Sequence, residues 1–233
     1  MPTRRLTLAL AFATLGAASS ANALVIGTAS DSANCFPFGC SYWTPTYQQV
    51  YDASAFGNAM SITTLSFYRT LETWSNGTPN SGAYTFTLST TAAAVDGLSA
   101  TASANLGSDA LTVFTGALPG SVAAGGRMDI VFDTAFDYDP QLGNLLLSIA
   151  TTGLASASGN VLAFDMVNRS ADPTSRLYMS GLRDTAGLVT GFNEALSQPI
   201  EHIESPNPMP EPASLALLGL SLVGLVGSRR LRK

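Results

Sequence analysis

Several short runs of this chain alternate apolar and polar side chains. Tyr84, Phe86 and Leu88 fall on one face of such a run, and Thr85, Thr87 and Ser89 on the other. Met128, Ile130 and Phe132 alternate with Arg127, Asp129 and Asp133, although Val131 interrupts the polar face, and Leu65 and Phe67 alternate with Thr64 and Ser66. Successive Cβ atoms of an extended chain point to opposite faces, so this spacing predicts strands with one buried side. Residues 47–51, 110–115, 144–151, 161–166, 175–180 and 187–192 are further strand candidates. Leu145-Leu146-Leu147-Ser148-Ile149 has no alternation and reads as a strand buried on both faces. Asn76-Gly77, Gly125-Gly126, Ser158-Gly159-Asn160, and Asp139-Pro140 with Gly143-Asn144 supply turns. The stretch 92–105 reads equally as a weak helix or a loop, because Gly97 and its Ser and Thr content oppose a helix. Roughly nine or ten short strands with no long helical period predict an all-β domain, an antiparallel β-sandwich of jelly-roll-like form.

The two ends break this pattern. Met1-Pro2-Thr3-Arg4-Arg5 is basic, Leu6 to Ser20 is uncharged and apolar or small, and Ala21-Asn22-Ala23 has the small-x-small form of a signal peptidase site. Residues 1–23 are therefore predicted to be a signal peptide cleaved after Ala23. Arg4-Arg5 lacks the flanking pattern of a twin-arginine signal, which points to the general secretory translocon. At the other end an uncharged run from Ala213 to Gly227 lies within a predicted transmembrane helix, 213–228, and the basic cluster Arg229, Arg230, Arg232 and Lys233 follows. The run has 15 residues. A helix of that length spans about 22 Å against a hydrocarbon core of about 30 Å, a gap that snorkelling arginines can bridge. The basic cluster should remain cytoplasmic and stop transfer. Pro206 and Pro208, in the predicted tether 205–209, favour extended, accessible chain before Pro210-Glu211-Pro212.

Pro210-Glu211-Pro212-Ala213-Ser214, an apolar helix containing glycine, and terminal arginines together resemble the PEP-CTERM sorting signal of exported bacterial proteins, a tail also named the ice-binding protein C-terminal domain. The resemblance covers 210–233. It implies that the helix holds the protein in the inner membrane until an exosortase-like membrane protease cuts near Pro210-Glu211-Pro212, releasing the domain toward the cell surface or extracellular matrix. Asn34-Cys35-Phe36-Pro37-Phe38-Gly39, Tyr47 to Ser54, and Phe136 to Leu147 also resemble segments of exported PEP-CTERM β-domains.

Residues 24–204 remain as the folded domain. Residues 24–208 hold fifteen acidic and five basic side chains, a net charge of −10. Such a charge opposes binding to nucleic acid and to anionic lipid. Cys35 and Cys40 are the only cysteines, and in an exported chain they predict a disulfide that ties down an exposed N-terminal segment. His202 is the sole histidine and lies among linker carboxylates. There is no nucleophile elbow and no phosphate loop, so the expectation is a non-enzymatic protein without a cofactor. Asp129, Asp133, Asp137, Asp139 and Asp165 could still serve a carboxylate-pair hydrolase. Asp137 and Asp139, two apart in a predicted loop near Asn144, are weak calcium candidates. Tyr42, Trp43, Trp74 and Tyr138 fall in predicted loops and could bind a glycan. The expected function is that of a surface or matrix protein with polysaccharide as a possible partner. The alternatives are a membrane-anchored periplasmic glycan-binding domain and, behind it, a secreted polysaccharide hydrolase.

Overall fold

A computed structural model describes residues 23–28, 32–40, 46–71, 77–118, 120–155, 162–168 and 173–197. The alternating runs become strands: β1 (Leu24–Ile26), β2 (Ala33–Asn34), β3 (Thr46–Tyr51), β4 (Met60–Tyr68), β5 (Ser81–Thr91), β6 (Leu111–Gly116), β7 (Arg127–Tyr138), β8 (Asn144–Ala155), β9 (Phe164–Asn168), β10 (Thr174–Tyr178), β11 (Leu182–Asp184), β12 (Ala186–Leu188) and β13 (Thr190–Phe192). The sheets run β1-β13-β4-β7, β11-β10-β3-β8-β5-β6 and β12-β9-β2. Every neighbouring pair is antiparallel. The fold of the described residues is all-β, and no helix among them is long and apolar enough to cross a membrane.

Two sequence expectations change. The apolar run 187–192 is not one strand: β12 pairs with β9 and β13 with β4, so the chain changes sheets at Val189. Asp137 is not in a loop. The alternation of β7 continues through Phe136 and Tyr138, both buried, and Asp137 stands exposed between them, opposite Ser61.

Both larger sheets feed one apolar core. Leu65, Phe67, Met128 and Ile130 come from the four-stranded sheet, and Tyr47, Tyr84, Phe86, Leu147 and Ile149 from the six-stranded one. Phe38 stands at the centre, fully buried, with ring centroids 5.0 Å from Phe67, 5.3 Å from Phe164 and 6.1 Å from Tyr84. It is carried by the loop that the Cys35–Cys40 disulfide closes. The sequence reading of that segment as exposed is therefore corrected: the loop is a plug in the core. A Cβ at Gly39 would come within 2.1 Å of the Leu162 carbonyl oxygen, so only glycine lets the plug seat.

The outer face of the six-stranded sheet is half covered. Ser89 was expected to face solvent with Thr85 and Thr87, yet it is fully buried, because the chain between β5 and β6 folds back over it. This segment, 92–110, is a loop with one 3-10 turn, Ala102–Asn105. Val50, Leu98, Leu146 and Leu177 form a second small apolar cluster beneath it. That cluster and the main core together explain why Leu145 to Ile149 is buried on both faces. Fully buried Gln48 and Gln49 act as cross-links. Gln48 donates to the Ala102 carbonyl at 3.0 Å and accepts from Asn105 at 2.8 Å, while Gln49 accepts from the Leu188 N–H at 2.7 Å and donates to its carbonyl at 2.9 Å. No buried amide of these two is left without a partner, which is the condition for placing glutamine inside.

Candidate functional site

Where the covering loop ends, a cleft of about 320 Å³ opens between the loop tip and the β10–β11 hairpin. Asp96 and Leu98 form one wall, and Ser175, Arg176, Arg183 and Asp184 the other. The hairpin arises because Met179 and Gly181 take positive φ, 51° and 100°, turning the chain so that Arg176 lies opposite Asp184. Arg176 is 6% exposed. Its Nε and Nη2 donate to the two Asp184 oxygens at 2.8 and 2.9 Å, its Nη1 donates to Asn34 Oδ1 at 2.7 Å, and its guanidinium lies 4.4 Å from the Tyr178 ring centroid. Burial pushes the Asp184 carboxyl up, but the hydrogen bonds and charge of Arg176 outweigh it and hold the carboxyl below its ordinary range. The loop tip is pinned from the same hairpin. The Asp96 N–H donates to Ser175 Oγ and Arg183 Nη1 to the Leu98 carbonyl, each at 2.8 Å.

A second polar cluster holds the last described residues. Arg127 donates to Asp129 from Nε at 2.6 Å and Nη2 at 3.1 Å, pairs with Glu194 at 3.4 Å, and donates to the Ala195 carbonyl. Asp129 also accepts from Ser66 Oγ at 2.7 Å and from the Ser197 N–H and hydroxyl at 2.9 and 2.7 Å. The Tyr68 hydroxyl donates to Glu194. Asn193, at a φ of 51°, accepts from the Thr63 N–H at 2.8 Å and donates to the Ser61 carbonyl at 2.7 Å. Burial pushes Asp129 up, but the hydrogen bonds from Arg127, Ser197 and Ser66 win and hold its pKa at about 2.

The residues singled out from sequence fall as follows. Ala23 is exposed immediately before β1, and Ala21 lies outside the described residues. Pro210, Glu211, Pro212, Arg229, Arg230, Arg232 and Lys233 also lie outside them, as do His202, Tyr42, Trp43 and Trp74. Cys35 and Cys40 are joined, with Cα atoms 5.2 Å apart. Tyr138 is not a glycan platform. It is 1% exposed, packs edge-on against Phe56 at 4.8 Å, and donates to the Gly143 carbonyl at 2.8 Å. Asp139 caps the turn Pro140–Leu142 by accepting from the Gln141 N–H at 2.9 Å. Asn144 is committed elsewhere, accepting from the Ala53 N–H at 2.8 Å and donating to the Ala93 carbonyl at 2.9 Å. Among the described residues no three His, Cys, Asp or Glu side chains gather as a metal ion would require.

The cleft was not found from sequence. Arg176 and Asp184 were visible only as isolated charges, and pairing them needed the hairpin register. Asp96 lay in a stretch whose structure the sequence left open.

Against known proteins, residues 210–232 match the family model of the PEP-CTERM protein-sorting motif. No curated protein and no solved structure matches the chain. The match falls on the Pro-Glu-Pro motif, the apolar run and the terminal arginines, so the chain carries a PEP-CTERM sorting motif, the mark of an exported cell-surface protein subject to exosortase-dependent sorting.

Proposed function

We propose that the mature chain is a non-enzymatic surface or extracellular-matrix protein with a structural or adhesive role. Its domain is read as an antiparallel, jelly-roll-like β-sandwich. Supporting this, β3, β4 and β5, and again β6, β7 and β8, change sheets at each step, as Greek-key sandwiches do. The route runs through the secretory translocon and signal peptidase at Ala23, then a membrane pause on helix 213–228 halted by the basic tail. An exosortase-like protease then recognises Pro210-Glu211-Pro212 and cuts near it. The observation that carries the reading is the sorting motif at 210–232.

The test is the intact mass of the protein from its host, fractionated into inner membrane, outer membrane and medium. The expected product lacks residues 1–23 and the chain beyond about Pro212, and lies outside the inner membrane. Glu211→Ala should leave the protein tail-bearing in the inner membrane. A native protein that keeps its tail there would instead favour a membrane-anchored periplasmic domain, and unchanged processing of Glu211→Ala would remove the motif from the mechanism.

A further inference from the structure

We propose that the cleft between the loop tip at Asp96 and the β10–β11 hairpin is a binding site for a neutral saccharide. Its size suits one or two sugar rings, at about 320 Å³ near the lower end of small-molecule sites. Its groups alternate in sign and in hydrogen-bonding sense. Asp96 offers an exposed carboxylate that only accepts, and Arg183 an exposed guanidinium that only donates, with its Nη1 already on the Leu98 carbonyl and its other N–H groups left for a ligand. Ser175, buried at the floor of the cleft, is held by its Oγ accepting from the Asp96 N–H.

Charge selects the ligand class. Arg176 and Arg183 balance Asp96 and Asp184, so the cleft is locally neutral in a domain of net charge −10. The surrounding acidic field disfavours a polyanion. A divalent cation would find one uncommitted carboxylate, because Asp184 is already shared between Arg176 and the Ala186 N–H. Vicinal hydroxyls, each both donor and acceptor, match a cleft lined by both a carboxylate and a guanidinium.

The site is also pre-set. The buried Arg176–Asp184–Asn34 network fixes the hairpin wall, and Gln48 with Asn105 fixes the loop behind the other wall. Asp96 is held at a φ of 64°, a conformation a free aspartate rarely keeps, by the hydrogen bond to Ser175. Little ordering is left for the ligand to impose. Saccharide binding here gives the matrix role its ligand and rests on that role only for the ligand's source. Sorting is read independently, by mass and fractionation.

The experiment uses the full-length protein in detergent. Neutral disaccharides of glucose, galactose and mannose, a glucuronate-containing disaccharide, and Ca²⁺ are titrated separately, with binding read by saturation-transfer NMR and calorimetry. At least one neutral disaccharide should bind saturably. Asp96→Asn and Arg183→Met, both at exposed positions, should each weaken it about tenfold, the usual cost of losing one charged hydrogen-bond partner. The melting temperature of Asp96→Asn should match the parent's, and that of Arg183→Met should fall only by the loss of its hydrogen bond to the Leu98 carbonyl. No saturable binding of any neutral disaccharide, preference for glucuronate or Ca²⁺, or binding indifferent to both substitutions would overturn the site. Any of these could occur with tail processing intact, which would leave the sorting reading standing.

Discussion

Arg176–Asp184 and Arg127–Asp129 are the same pair of residue types used for different ends. Arg176 reaches across a hairpin to a register partner and is almost wholly enclosed, with a side-chain exposure of 7%. Arg127 pairs two residues along its own strand, with 18% of its side chain exposed, and its cluster closes on the chain itself, taking Glu194, Ala195 and Ser197. In the first case the pair stiffens a wall, and neighbouring groups, Asp96 and Arg183, stay open to solvent. In the second, the polar groups are spent fastening the end of the domain from which the sequence runs toward the sorting motif. An ion pair is therefore weak evidence of a site. What separates the two cases is whether uncommitted groups remain beside it.

Removing the acid from each pair should separate them. Asp184→Ala leaves the nearly buried Arg176 without its bidentate partner and frees the Ala186 N–H, so unfolding should become easier by about 3 kcal/mol. Urea denaturation reads this directly, and a loss under 1 kcal/mol would mean that Arg176 finds water instead. Asp129→Ala gives up five hydrogen bonds from three residues but leaves Arg127 its contacts with Glu194 and the Ala195 carbonyl, and should cost about 2 kcal/mol. Its distinguishing effect is local. Amide exchange at Ser197 should speed up by at least tenfold, whereas Asp184→Ala should leave that amide unchanged outside global unfolding. Equal exchange at Ser197 in both variants would show that the fastening is not separate from the core.

The same contrast marks how far the sequence could be read. The period-two runs at 84–89 and 128–133 revealed strands because alternation follows from strand geometry alone. The tail was readable because its motif, apolar run and basic cluster are contiguous in sequence. The Phe38 plug was missed, since a Pro-Gly-rich loop between two cysteines carries no pattern that announces burial. Ser89 fell on the polar face of its run, yet a loop ten or more residues away folds over it. Both polar clusters join residues far apart in sequence, 68 positions for Asp129 and Ser197 and 142 for Arg176 and Asn34. Such groups meet only through register, which single-sequence periodicity does not encode.

Acid should sharpen the comparison by the smallest margin. Asp129 titrates at 3.8 when unperturbed and at about 2 in the folded protein. A carboxyl with a depressed folded pKa contributes its stability above the unfolded pKa and loses it as pH falls toward the folded one. The loss therefore begins near pH 4 and is complete only below about pH 2. At pH 3 Asp129 should account for less than about 1 kcal/mol of lost stability, allowing for solvent screening. Asp184 and Asp52 are displaced in the same direction and add to the slope. Asp129→Asn keeps the shape of the side chain but cannot gain a proton. Its unfolding free energy should fall less steeply than the parent's between pH 4 and 2, retaining the part due to Asp184 and Asp52. Parallel curves for parent and variant, followed by urea denaturation at fixed ionic strength, would mean that the fastening at Ser197 holds without the charge of Asp129 and depends on hydrogen-bond geometry alone.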